Sequence, residues 1–305
     1  MNQILCSTGA LLGKPNGRNY RLLEEMVPRL ECDGFEFMVY SSWYPEMDEL
    51  ISTVRSLQLN IPVIHCQKAL GETLCGMKVW REGDAFPEYV MTKEEDEACF
   101  LRGLEEFAVN LEVANAFGAG KMVLHLWNGL TSDKNIEKNI ERFGRLREMA
   151  LKAGVDLMVE NVLCNAHDPL SDLKLLRASY EDVHFTYDTK MAEFHGQTMK
   201  IFEPEWDWIL KEGHITHLHI NDYGGGYMDW GNLNVLPLGK GHVDLNGFFR
   251  ELSRYGYQGD YTIEATGFDR ETGEVDFEML NGCFRTLRTT LEEWRFCCGR
   301  STTGE

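Results

Sequence analysis

NIERFGRLREMALKAGVDLMVENV, residues 139–162, is the stretch that decides the fold. From Asn139 to Ala153 the apolar side chains recur at three- and four-residue spacing, the period of a helix that buries one face. Gly154 follows as a C-terminal stop. Asp156 to Val162 is then a short apolar run of the length and composition of a strand buried on both faces. One helix, one stop and one buried strand form the repeating unit of parallel α/β folds.

Seven more apolar runs share this character: Gln3–Thr8, Gly34–Tyr40, Ile61–Cys66, Lys121–Trp127, Val183–Asp188, Thr216–Asn221 and Asp260–Ala265. Helical patterns lie between them. One carries Leu101, Leu104, Ala108 and Leu111 and stops near Gly118; another carries Phe248 and Leu252 before Gly256; Phe277 to Trp294 closes the series. Eight units exceed the five to seven strands usual in an open doubly wound sheet, so the expected fold is a single-domain α/β (β/α)₈ barrel over residues 1–305. Two connections are long, about 67–96 and 222–242, and both follow strands at the end where a barrel keeps its active site. Residues 299–305 read as a frayed polar tail.

Composition narrows the function. The formal net charge is −19 and no run of Lys or Arg interrupts the acidic surplus, so a nucleic-acid partner is not expected. No stretch reaches the roughly 20 apolar residues of a membrane span. The nine cysteines include no C-x-x-C pair, and the N-terminus lacks a signal-peptide pattern, which together point to a reduced, cytoplasmic protein. The Gly224-Gly225-Gly226 run reads as a hinge or turn and makes no dinucleotide-binding fingerprint.

Polar residues that interrupt the strands near their C-terminal ends carry the chemistry. Glu160 stands in the fifth run, Asp188 closes the sixth, His219 stands in the seventh and Glu264 in the eighth. Strand residues alternate faces, so all four can point into one barrel mouth. Three carboxylates buried there unpaired would cost several kcal/mol each, and a divalent cation relieves that cost. Three oxygen ligands with one imidazole suit Mn²⁺, Mg²⁺, Zn²⁺ or Co²⁺. His65 and His125 end the third and fourth runs and read as hydrogen-bond donors behind the ligands, substrate contacts, or ligands of a second metal that shares Glu160. His217, two residues before His219, reads as deeper and structural. Trp43, Trp80, Trp127 and Trp230 lie near the expected mouth, where an aromatic wall could face a sugar ring.

In these stretches the sequence resembles the xylose isomerase-like superfamily of sugar isomerases, sugar epimerases and apurinic-site endonucleases. The resemblance rests on Val159-Glu160-Asn161, Tyr187-Asp188, His217-Leu218-His219-Ile220-Asn221-Asp222, Leu238-Gly239-Lys240-Gly241 with Asp244, and Ile263-Glu264, taken in order. It implies a TIM barrel with Glu160, Asp188, His219 and Glu264 as metal ligands. It further implies an acid/base pair, Glu160 and Glu264, working on a carbohydrate through a metal-stabilised enediolate, and it allows a homo-oligomer. The sequence departs from the epimerases at Met191, where they place a substrate-binding His; Lys190, Glu193 or His195 could take that part. It departs from the endonucleases at Asp229, which is followed by Trp230 and Gly231 instead of completing an Asp-x-His pair. The expected function is a metal-dependent sugar isomerase or epimerase. The alternatives are a two-metal hydrolase or lyase and a sugar-binding barrel without turnover.

Overall fold

The computed structural model describes residues 2–76, 91–128 and 132–299. Eight strands form a closed barrel in the order of the chain: β1 Ile4–Ser7, β2 Gly34–Met38, β3 Val63–His65, β4 Lys121–Leu124, β5 Asp156–Glu160, β6 His184–Asp188, β7 Ile215–His219 and β8 Asp260–Ile263. All eight runs read from the sequence become strands. The pairing is parallel, with Lys121 beside Asp156, Met158 beside His184 and His219 beside Thr262. Leu5, Phe37, Val63, Met122, Met158, Phe185, Leu218 and Ile263 are wholly buried, as expected where helices cover one strand face and barrel filling covers the other.

Two of the expected stops act as caps. The long helix Lys93–Phe117 ends on Gly118 and the helix Ile136–Ala153 on Gly154, each with φ near 71°. That left-handed conformation strains any residue with a Cβ and is free for glycine. The connection expected over 67–96 is shorter than the sequence suggested. It holds a helical turn, Leu70–Cys75, and the next helix begins at Lys93. Thr92 accepts from Glu95 N there, and Glu95 reaches back to Thr92 N, a reciprocal capping box that starts the helix inside the expected loop. Most of that connection, with Trp80, lies outside the described residues, as does the tail from 300. The closing helix runs Phe277–Gly299.

By compactness the chain divides into two units. One is Met1–Glu36 with Tyr187–Glu305; the other is Phe37–Thr186. In the first, called the split unit below, the connection after β7 is pinned by one side chain. Asp222 is buried and accepts the backbone N–H groups of Tyr223, Gly239, Gly241 and Val243 at 2.8–3.1 Å. A Cβ at position 241 would sit 2.3 Å from Tyr223 O, so the Leu238-Gly239-Lys240-Gly241 motif is glycine-bearing because of this close approach. The triple glycine is a turn closed by Tyr223 Oη–H on Gly226 O. In the second, called the central unit, Trp43 packs on Phe37 and Tyr40.

Candidate metal centre

Barrel geometry places six titratable side chains at C-terminal strand ends. His65, Glu160, Asp188 and His219 are the last residues of β3, β5, β6 and β7; His125 and Glu264 are each one residue past β4 and β8.

In the split unit, Asp188, His219 and Glu264 come together. His219 Nδ1 lies 3.3 Å from Glu264 Oε2 and 3.9 Å from Asp188 Oδ2. Asn221 bridges the same two oxygens, its Nδ2 donating to Asp188 at 2.7 Å and to Glu264 at 3.1 Å, while its Oδ1 accepts from Glu264 N. Asp188 also caps the helix Thr189–Phe194 by accepting from Met191 N. Met191 is therefore placed by its backbone.

The far side of His219 explains its orientation. Glu36 is fully buried, and its Oε2 receives Nε2 of His219 at 3.0 Å, Nε2 of His217 at 2.8 Å and the Thr262 hydroxyl at 2.9 Å. Burial by itself would raise the Glu36 carboxyl; the two imidazoles reverse this and hold it well below the usual carboxylate range. A neutral His219 that donates Nε2–H to Glu36 carries its lone pair on Nδ1, aimed at Asp188 and Glu264. A carboxylate behind a ligating imidazole fixes its tautomer and raises its basicity. Glu36 and Asn221 did not stand out in the sequence. Glu36 interrupts an apolar strand just as Glu160 does, and that was the available signal. His217 is wholly buried against Glu36 and Thr262.

In the central unit, His65, His125 and Glu160 form a second group, with ligand atoms within 4.8 Å of one another. Glu160 Oε2 is 2.8 Å from His125 Nε2 and 3.4 Å from His65 Nε2. His65 Nδ1 is 2.7 Å from Cys66 O, a contact only Nδ1–H can make as donor, so the neutral ring turns its Nε2 lone pair toward Glu160. Burial outweighs the Glu160 charge and lowers His125 to about 4, leaving it neutral near pH 7.

The other expected contacts fall as follows. Trp127 is wholly buried and donates Nε1–H to Val162 O at 2.9 Å, so it ties the segment after β4 to that after β5 and presents no open ring face. Lys190 and His195 are buried in the split unit. Glu193 accepts from Thr198 Oγ1 and lies 3.6 Å from the half-exposed His242. Trp230 packs on Phe194.

The fold and donor set define a parallel barrel with groups that could hold a metal at its strand ends. The sequence matches the xylose isomerase-like TIM barrel family over residues 26–282, and the chain belongs to that family. No curated protein sequence matches it. Solved structures similar to it include L-ribulose 3-epimerase, at 17% identity and TM-score 0.65 with 99% of each chain covered. Another is the apo form of 3-keto-D-glucoside 4-epimerase, YcjR, from E. coli, at 16% identity and TM-score 0.61, covering 95% of this chain and 100% of that one. A third is IolI protein with a bound zinc atom, at 13% identity and TM-score 0.63, covering 96% and 99%. At such identities the likeness shows the fold.

Proposed function

We propose that the chain is a divalent-metal-dependent isomerase or epimerase of a sugar, sugar acid or related polyol. The observation that carries this reading is the convergence of the Asp188 and Glu264 carboxylates on Nδ1 of His219, whose other nitrogen is taken by Glu36. Two carboxylates beside an imidazole lone pair fit a cation and repel without one. In this reading Glu160, at the same end of β5, completes the ligand set. The zinc in IolI protein makes Zn²⁺ an early choice beside Mn²⁺, Mg²⁺ and Co²⁺.

When bound, the cation would supply Lewis acidity toward a carbonyl and its neighbouring hydroxyl, acidifying the C–H between them. Glu160 and Glu264 divide the proton work: one carboxylate takes the proton from carbon, and the other returns a proton to the opposite face or the adjacent carbon. His125 Nε2–H steadies Glu160 as the acceptor. Asn221 Nδ2 holds Glu264 Oε2 in place without protonating it.

Proton transfer of this kind exchanges with solvent. Incubating the metal-loaded chain with ketoses and sugar acids in D₂O should place deuterium on the substrate carbon. Glu160→Gln and Glu264→Gln should abolish that exchange with the fold retained by circular dichroism. Retained exchange in both variants overturns the mechanism. No exchange over long incubation, with thermal stabilisation by a sugar, selects instead a binding barrel without turnover.

One observation favours a second reading, a two-metal hydrolase or lyase. His65 and His125 meet at Glu160, and the tautomer of His65 set by Cys66 O turns a lone pair toward the carboxylate. That reading requires one metal equivalent fewer in His65→Ala than in wild type by elemental analysis; equal content removes it.

A further inference from the structure

A third cluster lies in the central unit and shares no residue with the groups above. Asp133, Cys164 and Asp172 are all wholly buried, and a carboxylate oxygen of each Asp lies within 4.8 Å of the Cys164 sulfur. Asp133 follows β4 in the 3₁₀ turn Ser132–Asn135, Cys164 follows β5, and Asp172 lies in the first turn of the helix Pro169–Ser179. Cys164 Sγ is 3.3 Å from Asp172 Oδ2, and His167 Nδ1 is 3.0 Å from Asp172 Oδ1. The His167 side chain is 35% exposed and forms the rim of the group.

Asp133 is the informative member. Its Oδ2 accepts three backbone N–H groups, from Asn165, Ala166 and His167, at 2.6–3.0 Å. Its Oδ1 is buried and, among the described residues, has no hydrogen-bond partner. A carboxylate oxygen withdrawn from water and left without a donor is costly, and the same group holds a thiol and a second carboxylate, which offer it no cation.

We infer that Asp133, Cys164, Asp172 and His167 form a binding site for a borderline-soft divalent cation of the Zn²⁺ type, separate from the proposed barrel centre. The donor types select the ion. One sulfur and one imidazole with two carboxylates suit Zn²⁺, whereas Mg²⁺ and Ca²⁺ take oxygen ligands throughout. The spacing agrees as well. Tetrahedral Zn²⁺ bonds of about 2.0–2.3 Å set ligand atoms roughly 3.3–3.7 Å apart; the 3.3 Å between Cys164 Sγ and Asp172 Oδ2 falls in that range, and His167, now on Asp172 Oδ1, turns inward from the rim to join them. On binding, the thiol proton of Cys164 leaves to solvent, because a coordinating sulfur is a thiolate. His167 binds neutral through Nδ1. Its exposed edge supplies the entry path, and the ion ties the segment after β4 to the segment after β5.

Co²⁺ is the probe, because thiolate coordination gives a near-ultraviolet charge-transfer band that carboxylate and imidazole ligands do not. Titrating the chelator-treated full chain with Co²⁺ should produce this band. It should be absent in Cys164→Ser and unchanged in Glu264→Gln, so failure of the barrel reading leaves this result standing. His167→Gln alters only a rim residue and should weaken Co²⁺ binding at least tenfold, whether or not Cys164→Ser folds. No band in the wild type, a band that survives in Cys164→Ser, or unchanged affinity in His167→Gln overturns the proposal. The first and last of these outcomes would mean that Asp172 and Cys164 share protons in place of a metal.

Discussion

The two halves of the ligand set are supported in different ways. In the split unit each candidate ligand has a second contact that fixes it: Asp188 holds Met191 N, His219 is backed by Glu36, and Glu264 is held by Asn221. In the central unit buried ionisable groups are left in unfavourable states. Burial pushes His125 down to about 4, Glu72 up to about 7 and Asp172 up to about 6, and Asp133 keeps an oxygen without a donor. In one half the ionisable groups are oriented by hydrogen bonds; in the other, burial pushes several of them toward their neutral forms.

The largest expected effect breaks the comparison at its strongest point. Glu264→Gln keeps the Asn221 contact through its amide oxygen but removes the base, so solvent-deuterium exchange should fall by about 10³-fold, within the range for a positioned general base. A fall under tenfold would show that the split unit's arrangement is structural.

Glu72 sharpens the other side. It is 8% exposed and accepts one hydrogen bond, from Asn128 Nδ2 at 2.6 Å. Burial, only partly offset by Asn128, raises its folded pKa to about 7 from 4.5. The folded state then binds more protons than the unfolded state between those values, so stability falls as pH rises through that window. Glu72→Gln should remove this fall. The stability gap between variant and wild type should widen in the variant's favour from pH 5 to pH 8, by about 3 kcal/mol at most, measured by urea denaturation at both pH values. A constant gap would mean that Glu72 stays ionised throughout.

Glu36→Gln loses the anionic partner of His219 while keeping an acceptor. Metal affinity should drop by about 10–100-fold, the usual result of removing a partner behind a ligand; calorimetric titration with Zn²⁺ reads it, and unchanged affinity would remove His219 from the ligand set. Trp127→Phe is the smallest. It forfeits the Nε1–H bond to Val162 O and leaves that carbonyl buried, which should cost about 1–2 kcal/mol with exchange activity intact. A large activity loss at constant stability would return Trp127 to the substrate contacts.

The barrel was legible because its strands are buried on both faces, which writes them into the sequence as apolar runs bounded by glycine stops. The candidate ligands were legible for the complementary reason, as polar residues where such runs end. Glu36 obeys the same rule and was passed over, because its meaning depends on His217, His219 and Thr262, which lie 181–226 positions away. Asn221 stood inside a quoted motif, yet its two-carboxylate bridge exists only once β8 has returned beside β7. The Asp133 group is harder still. Its members come from two connections, Asp133 after β4 and the rest after β5; none interrupts a strand, and only burial distinguishes its carboxylates from the other acidic residues of a chain that has 49.

The four N–H groups gathered by Asp222 have a consequence for how this chain can change. They close the connection after β7 at its two ends, near Tyr223 and at Gly239 to Val243, and make no claim on residues 227–235 between them. That middle stretch is held by separate contacts, Met228 N on Phe194 O and Trp230 on Phe194, so added length costs loop-closure entropy, about 0.6 kcal/mol per doubling, and exchange also gives up those contacts. Its two ends are thus fixed independently of what lies between them, beside the strand that carries His219.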